Sequence, residues 1–324
     1  MVDVTVKGGS TFPTSLSQSQ AIIASSFLKN IGPGGVTEAS GGGHHKITSA
    51  NSALIVDQYG STLPTTLVGS GKGDVLIGNQ GNDLIELKNR GSVVAGDGND
   101  TVNSSYTGTG NAIVLGDGND SIVAAGFANV TVGGGSDQIK LHSGGTITET
   151  GSAGHDTISI GAGKYTINEQ GQATVKGAGF QATVLGGTLS VHNPGSQPET
   201  ISAGSGFVTI RGSTNEVLSA GSGSDSIHGA GNDTFTGGYP GAAGDATMFG
   251  AGTANLFKFG SSGGSYTVLN FQPGDFVELK GLTAAAAFGD AQVISGVGVV
   301  MTDGSTTITL KGVYDLTVHE FKNG

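Results

Sequence analysis

From about residue 67 the chain is written in short runs with an apolar residue at every second place, and glycine closes nearly every run. "AIVL" (112–115), "VTV" (130–132), "TISI" (157–160), "YTIN" (165–168), "ATV" (182–184), "TLSV" (188–191) and "VTI" (208–210) are examples. A period of two places alternate side chains on opposite faces of a strand. Strands this short cannot bury a face alone. At near-regular spacing with glycine turns, they predict an all-β solenoid, coil stacked upon coil.

The aspartates test that pattern. Asp74, Asp83, Asp100, Asp120, Asp137, Asp156, Asp225 and Asp233 each end a glycine turn. If each turn launches a strand, the residue two places on points inward. Those residues are Leu76, Ile85, Val102, Ile122, Ile139, Ile158, Ile227 and Phe235, all large and apolar. In a chain that is 35% hydrophobic, chance gives that result about 2 times in 10,000. The residues between are mostly polar, as outward positions should be.

Other stretches have a different texture. In "LSQSQAIIASSFLKNI" (16–31) the residues Ile22, Ile23, Phe27, Leu28 and Ile31 recur near helical spacing, and Ser17 or Ser19 can cap them. One short helix is expected there, stopped by "GPGG" (32–35). Residues 1–66 are thus expected to form a small separate region. "KITSANSALIVDQYG" (46–60) reads as two β-runs. Beyond about residue 250, "YTVLNFQPGDFVELKG" and "VVMTDGSTTITLKGV" read as longer strands and hairpins, a β cap over 251–324.

Composition narrows the chemistry. The 324 residues include 61 glycines and no cysteine, and the net charge is −11. Glycine at this level without a three-residue period is not collagen. An acidic chain with sparse Lys and Arg is unsuited to nucleic acid. Disulfides and thiolate zinc sites are excluded. The start "MVDVTVKGGS" shows no cleavable signal, and "VISGVGVVM" (293–301) is far too short to span a bilayer. What remains is a pool of carboxylates suited to hard cations.

"GNQGNDLIE" (78–86), "AGDGNDTV" (95–102), "LGDGNDSI" (115–122) and "GSAGHDTIS" (151–159) resemble the RTX, or haemolysin-type, nonapeptide G-G-x-G-x-D-x-U-x. That resemblance implies a parallel β-roll with two turns and two strands per coil. It places calcium between adjacent turns, held by the sixth-position carboxylates and the carbonyls of the glycine loop. Calcium's six to eight oxygen ligands and flexible geometry suit such a loop better than magnesium's octahedron. The implied metal set is Asp74, Asp83, Asp100, Asp120, Asp137, Asp156, Asp225 and Asp233, with the loop glycines Gly96, Gly98, Gly116, Gly118, Gly133 and Gly135.

Spacing says where the ions should lie. Asp74 and Asp83 are nine apart and fall on opposite edges of one coil, whereas Asp83, Asp100, Asp120, Asp137 and Asp156 follow at 17, 20, 17 and 19 and share one edge. Five turns in a row make about four sites. Asp97 and Asp117, at the third loop position, are expected to be solvated. Between 160 and 218 no turn carries a sixth-position Asp, so the roll is expected to run on without metal, and Asp225 with Asp233 to make one further site or two imperfect ones. The competing reading is that these aspartates only cap their turns. It does not explain Asp at the sixth place eight times.

The cap resembles that of bacterial type I secreted RTX proteins, which implies an extracellular or cell-surface location. Packed at strand spacing, the Asp rows would repel without a cation, so folding is expected to depend on calcium. No catalytic constellation is visible. There is no H-E-x-x-H helix and no G-x-S-x-G elbow, and His44–His45 sit in a loop without a carboxylate cluster. Two functions follow. The first is a calcium-folded structural rod that self-assembles as a surface layer, filament or biofilm scaffold, or acts in adhesion, with cell-surface polysaccharide as a possible partner. The alternative is a polysaccharide-acting extracellular enzyme or toxin with its active part in residues 1–66 or on a face of the roll.

Overall fold

The computed structural model describes residues 61–151, 154–192, 199–239 and 243–324, with the backbone of the earlier strands Val2–Thr5, Thr11–Thr14, Val36–Ala39, Lys46–Ser49 and Leu54–Asp57. The helix expected over 16–31 lies outside these residues, as does His44–His45. The chain divides into two compact units, residues 1–173 and 174–324. Each is a parallel β-solenoid.

In the first unit, alternate strands join one of two sheets. One sheet runs Lys46–Ser49, Thr66–Gly69, Leu84–Leu87, Thr101–Ser104, Ser121–Ala124, Gln138–Leu141 and His155–Ile160. The other runs Val36–Ala39, Leu54–Asp57, Asp74–Ile77, Gly91–Val94, Thr109–Val114, Phe127–Val132, Gly145–Glu149 and Gly163–Asn168. Register stacks like on like. Leu67, Ile85, Val102, Ile122, Ile139 and Ile158 form one inward column. Leu76, Val93, Ile113, Val130, Ile147 and Ile167 form the facing one. All twelve side chains are at most 1% exposed. This core is only two columns thick, so each coil is stable because its neighbours cover it.

The inward rule holds at all eight positions, Ile227 and Phe235 included, since each is at most 1% exposed. Among the intervening residues Val75 departs from expectation. It is 1% exposed, in a strand buried along its whole length.

The second unit repeats the plan with larger side chains. Ala182, Ile201, Leu218, Phe235, Phe257, Val277 and Phe321 share one column. Val191, Ile210, Ile227, Met248, Val268 and Leu310 share the other. Phe235 and Phe257 stack with ring centroids 4.7 Å apart.

Two boundaries move. The strands at 36–57 pair in parallel with the roll rather than forming a separate region before residue 66. Parallel coiling also continues past 250, through Leu256–Phe259, Gly264–Leu269 and Phe276–Leu279. The reason is that Asn255 and Asp275 launch Leu256–Phe259 and Phe276–Leu279 where the glycine–aspartate nonapeptide has lapsed. Antiparallel pairing, as expected of a cap, enters with Gln292–Ile294, Gly298–Asp303 and Thr306–Lys311. A short helix, Ala284–Gly289, precedes them, N-capped by the Thr283 side chain.

Candidate metal centre

In the first unit the turns "GNQGND" (78–83), "AGDGND" (95–100), "LGDGND" (115–120), "GGGSD" (133–137) and "GSAGHD" (151–156) fall on the same edge. Their aspartates are 1–2% exposed. They form a ladder in which each backbone N–H donates to the carboxylate of the next coil. Asp83 N donates to Asp100 Oδ1 at 2.8 Å, Asp100 N to Asp120 Oδ1 at 2.8 Å, Asp120 N to Asp137 Oδ1 at 2.8 Å and Asp137 N to Asp156 Oδ1 at 2.9 Å. Oδ1 is therefore satisfied throughout. Oδ2 of Asp100, Asp120 and Asp156 is buried without a hydrogen-bond partner.

Burial is the main reason these carboxyls titrate late, and neighbouring carboxylates add to it against the backbone amides, which pull the other way. Asp100 is pushed up to about 9, Asp137 to about 8, Asp120 to about 7 and Asp156 to about 6. A buried row of this kind demands either protons or a cation.

The glycine loops run beside these unpaired oxygens. Gly98, Gly118, Gly135 and Gly154, each two places before a ladder aspartate, have φ between +106° and +150°. Only glycine adopts this freely. The loops also stack too closely for any side chain. A Cβ on Gly98 would lie 2.6 Å from the Gly81 carbonyl oxygen, one on Gly116 2.6 Å from that of Gly96, and one on Gly118, Gly133 or Gly135 would overlap the carbonyl of the coil before. Loop carbonyls and orphaned carboxylate oxygens thus line the same edge, and oxygen donors of this kind suit calcium.

The remaining aspartates are placed differently. Asp74 lies on the opposite edge from Asp83, and its Oδ2 accepts from Gly71 N at 2.7 Å. Both Asp83 oxygens are taken, Oδ1 by Thr65 N and Oδ2 by Asn79 N. In the second unit Asp225 accepts from Val208 N and Gly221 N, and Asp233 from Glu216 N and Gly231 N. These two launch strands of different sheets, so they are not brought together. Asp97 and Asp117 lie outside the ladder and clasp the next coil, Asp97 Oδ1 accepting from Asp117 N and Asp117 Oδ1 from Gly134 N.

Sequence reasoning missed the glutamates. Between 160 and 218, where no acidic turn was expected, Glu169, Glu199 and Glu216 are 1–3% exposed. Burial pushes Glu169 up to about 9 and Glu199 to about 7. Glu199, Glu216, Asp233, Asn255 and Asp275 each directly precede register-paired strand residues of one sheet. Along this column Glu216 N donates to Asp233 Oδ1, Asp233 N to Asn255 Oδ1 and Asn255 N to Asp275 Oδ1. The signal was present, since Glu199, Glu216 and Asp233 follow at intervals of 17. A search for Asp alone passes over it.

A parallel β-roll with glycine loops and buried, edge-lining carboxylates belongs to the class of calcium-binding solenoids. The model of the RTX calcium-binding nonapeptide repeat matches the chain at residues 59–87 and 212–238, in four copies, so the chain carries RTX repeats within a parallel β-roll. The matched spans cover Asp74, Asp83, Asp225 and Asp233, while the ladder from Asp100 to Asp156 lies between them. No curated protein and no solved structure matches the chain. RTX repeats are typical of proteins exported by type I secretion, and the β-roll is typically structural. Among the described residues, no helix is long and apolar enough to cross a membrane.

Proposed function

We propose that this protein is a secreted, calcium-folded structural rod of the cell surface or extracellular matrix. The observation that carries the reading is the buried ladder of Asp100, Asp120, Asp137 and Asp156, in which no protein donor reaches Oδ2 of Asp100, Asp120 or Asp156. Calcium between neighbouring turns of that ladder would be held by these carboxylates and by carbonyls of the loops that contain Gly96, Gly98, Gly116, Gly118, Gly133 and Gly135. The ion supplies the positive charge that the row lacks, so its binding energy becomes folding energy. Four adjacent aspartates enclose three such gaps, one fewer than the spacing alone suggests. Asp83 is the odd member, because both its oxygens already accept amides. Asp74, Asp225 and Asp233 serve as turn caps in this reading.

Kept unfolded where calcium is scarce, the chain suits passage through a type I channel and folding outside. The outward faces carry mostly small polar residues, such as Thr101, Ser121, Gln138 and Thr157. They offer a flat polar surface for self-assembly or polysaccharide contact rather than a catalytic cleft. Far-UV circular dichroism with calcium and with chelator tests the folding step, and an unchanged β-signal in chelator would sink it. Electron microscopy in calcium tests the role. Ordered layers or filaments support the scaffold, whereas dispersed monomers that turn over polysaccharide would replace it with the enzymatic alternative.

A further inference from the structure

Where the ladder ends, the inward column on the facing sheet changes character. The apolar side chains Leu115 and Val132, both fully buried, are followed in register by Glu149 and then Glu169. Both glutamates are 1% exposed and lie opposite Asp156, the last rung of the ladder. One carboxylate oxygen from each of the three lies within 4.8 Å of the others. Three acids thus converge at a point that earlier coils fill with hydrocarbon.

Their hydrogen bonding is incomplete in a particular way. Glu149 Oε2 is fixed by the backbone, accepting from Gln170 N at 3.0 Å and Gly171 N at 2.7 Å. Asp156 Oδ1 is fixed by Asp137 N, and its Oδ2 has no partner. Neither oxygen of Glu169 accepts a well-formed hydrogen bond, although the side chain is buried and faces the other two acids, with the Glu149 carboxyl and the Gly171 amide its nearest polar neighbours. Among the described residues, no Lys or Arg forms an ion pair with any of the three. A carboxylate buried without a donor or counter-ion is among the costliest groups a fold can hold.

We propose that Glu149, Asp156 and Glu169 form a separate cation site that takes one calcium-sized, oxygen-seeking divalent ion and closes the ladder at its last coil. Calcium–oxygen distances of about 2.3–2.6 Å allow ligands of one ion to lie up to about 4.6–5.2 Å apart, and three oxygens within 4.8 Å of one another fall inside that limit. Magnesium, at about 2.0–2.1 Å, needs a tighter and more regular cage. Three carboxylates also concentrate more charge than any inter-turn gap of the ladder, where two aspartates meet. The inference rests on the calcium reading only for the identity of the ion. Of the three carboxylates only Asp156 belongs to a nonapeptide, and Glu149 and Glu169 lie outside the motif.

The test is calcium titration of the full-length protein by calorimetry, wild type against Glu169→Gln, with direct excitation of bound Eu3+ as a second readout. Glu169→Gln removes one charged ligand and keeps an oxygen and a donor at the same place, so it should leave the calcium-free protein at least as heat-stable as wild type. It should delete one calcium equivalent or weaken one class of site at least about tenfold, and remove the Eu3+ band of the most carboxylate-rich site. Glu149→Gln, which keeps an oxygen for the two amides, should do the same. If wild type takes up calcium and both variants take up the same number of ions with the same affinities, this site does not exist while the ladder stands. If wild type takes up no calcium at all, the ladder reading falls and this site falls with it.

Discussion

The ladder of residues 95–158 and the acidic turns of residues 199–275 use the same side chains for different ends. At Asp100, Asp120 and Asp156 one carboxylate oxygen ties coil to coil and the other is left buried and bare. At Asp225, Asp233 and Asp275 both oxygens accept backbone amides, the last from Asn255 N and Gln272 N. The difference originates in the loop. Gly98, Gly118, Gly135 and Gly154 take positive φ two places before the ladder aspartates, and no loop amide there reaches Oδ2 of Asp100, Asp120 or Asp156. Gly81 and Gly223 do not take that conformation, and the amide four places before the aspartate donates to Oδ2, from Asn79 to Asp83 and from Gly221 to Asp225, while Gly231 does take it, at φ +139°, and its own amide donates to Asp233 Oδ2. A loop that satisfies its own carboxylate has less need of an ion.

Removing calcium should separate the two regions most sharply. A ligand at about 100 times its Kd stabilises the state that binds it by about 2.7 kcal/mol per site. Amide exchange by mass spectrometry on the full chain should therefore quicken at least about 100-fold over residues 95–158 when chelator is added. Residues 217–279 should change less than about tenfold. Equal acceleration in both regions would break the distinction.

The next effect is a change of sign. In Asp120→Asn the amide oxygen can keep the bond from Asp100 N, while a buried charge disappears. Without calcium the variant should be more stable than wild type by about 1 kcal/mol, and with calcium less stable. In Asp233→Asn one of two accepting oxygens becomes an NH2 group facing the Gly231 or Glu216 amide. That should cost about 1–3 kcal/mol in both conditions. Denaturant unfolding of both variants, with and without calcium, reads the result, and the same sign for both would make Asp120 a turn cap like Asp233.

Much of this was legible in the chain. The strand period, the shared edge of Asp83 to Asp156 and the inward residues all follow from spacing, because a solenoid converts distance along the chain directly into position. Three things were not legible. The motif letters G-x-D are identical at "GDGND" and "GSGSD", so they do not tell whether a loop amide reaches Oδ2, as one does at Asp225 and none does at Asp100. Glu149 and Glu169 look like ordinary strand-end residues until register puts them beneath Leu115 and Val132. The end of coiling was misjudged because Asn255 and Asp275 continue the column without a glycine–aspartate nonapeptide.

Acidity should act on the calcium-free ladder in the direction opposite to most proteins. Unfolded aspartates titrate near 3.9, whereas Asp156, Asp120, Asp137 and Asp100 in the fold titrate at about 6, 7, 8 and 9. Between these limits the folded chain holds more protons than the unfolded one. Its stability is thus fully present below about pH 4 and is lost as pH rises through 6 to 9. The calcium-free melting temperature should fall steadily from pH 5 to 9. Saturating calcium should cancel or reverse the trend, because the ion binds the deprotonated row and expels its protons. A calcium-free melting temperature that rises over this range would show that the ladder carboxylates are not held in the buried, uncompensated state.

The smallest effect belongs to the third loop position. Asp117 is exposed, and its Oδ1 accepts from Gly134 N at 2.8 Å across one coil step. Water can replace that bond, so Asp117→Ala should cost about 0.5 kcal/mol. Calcium affinity should change less than about threefold, since the lost charge sits in solvent where it is screened. Asp120→Ala, three residues on and buried, should abolish binding in the two gaps that it borders. If Asp117→Ala weakens calcium binding as much as Asp120→Ala, then the third-position carboxylates reach the ion and the ladder's inner and outer rows act as one site.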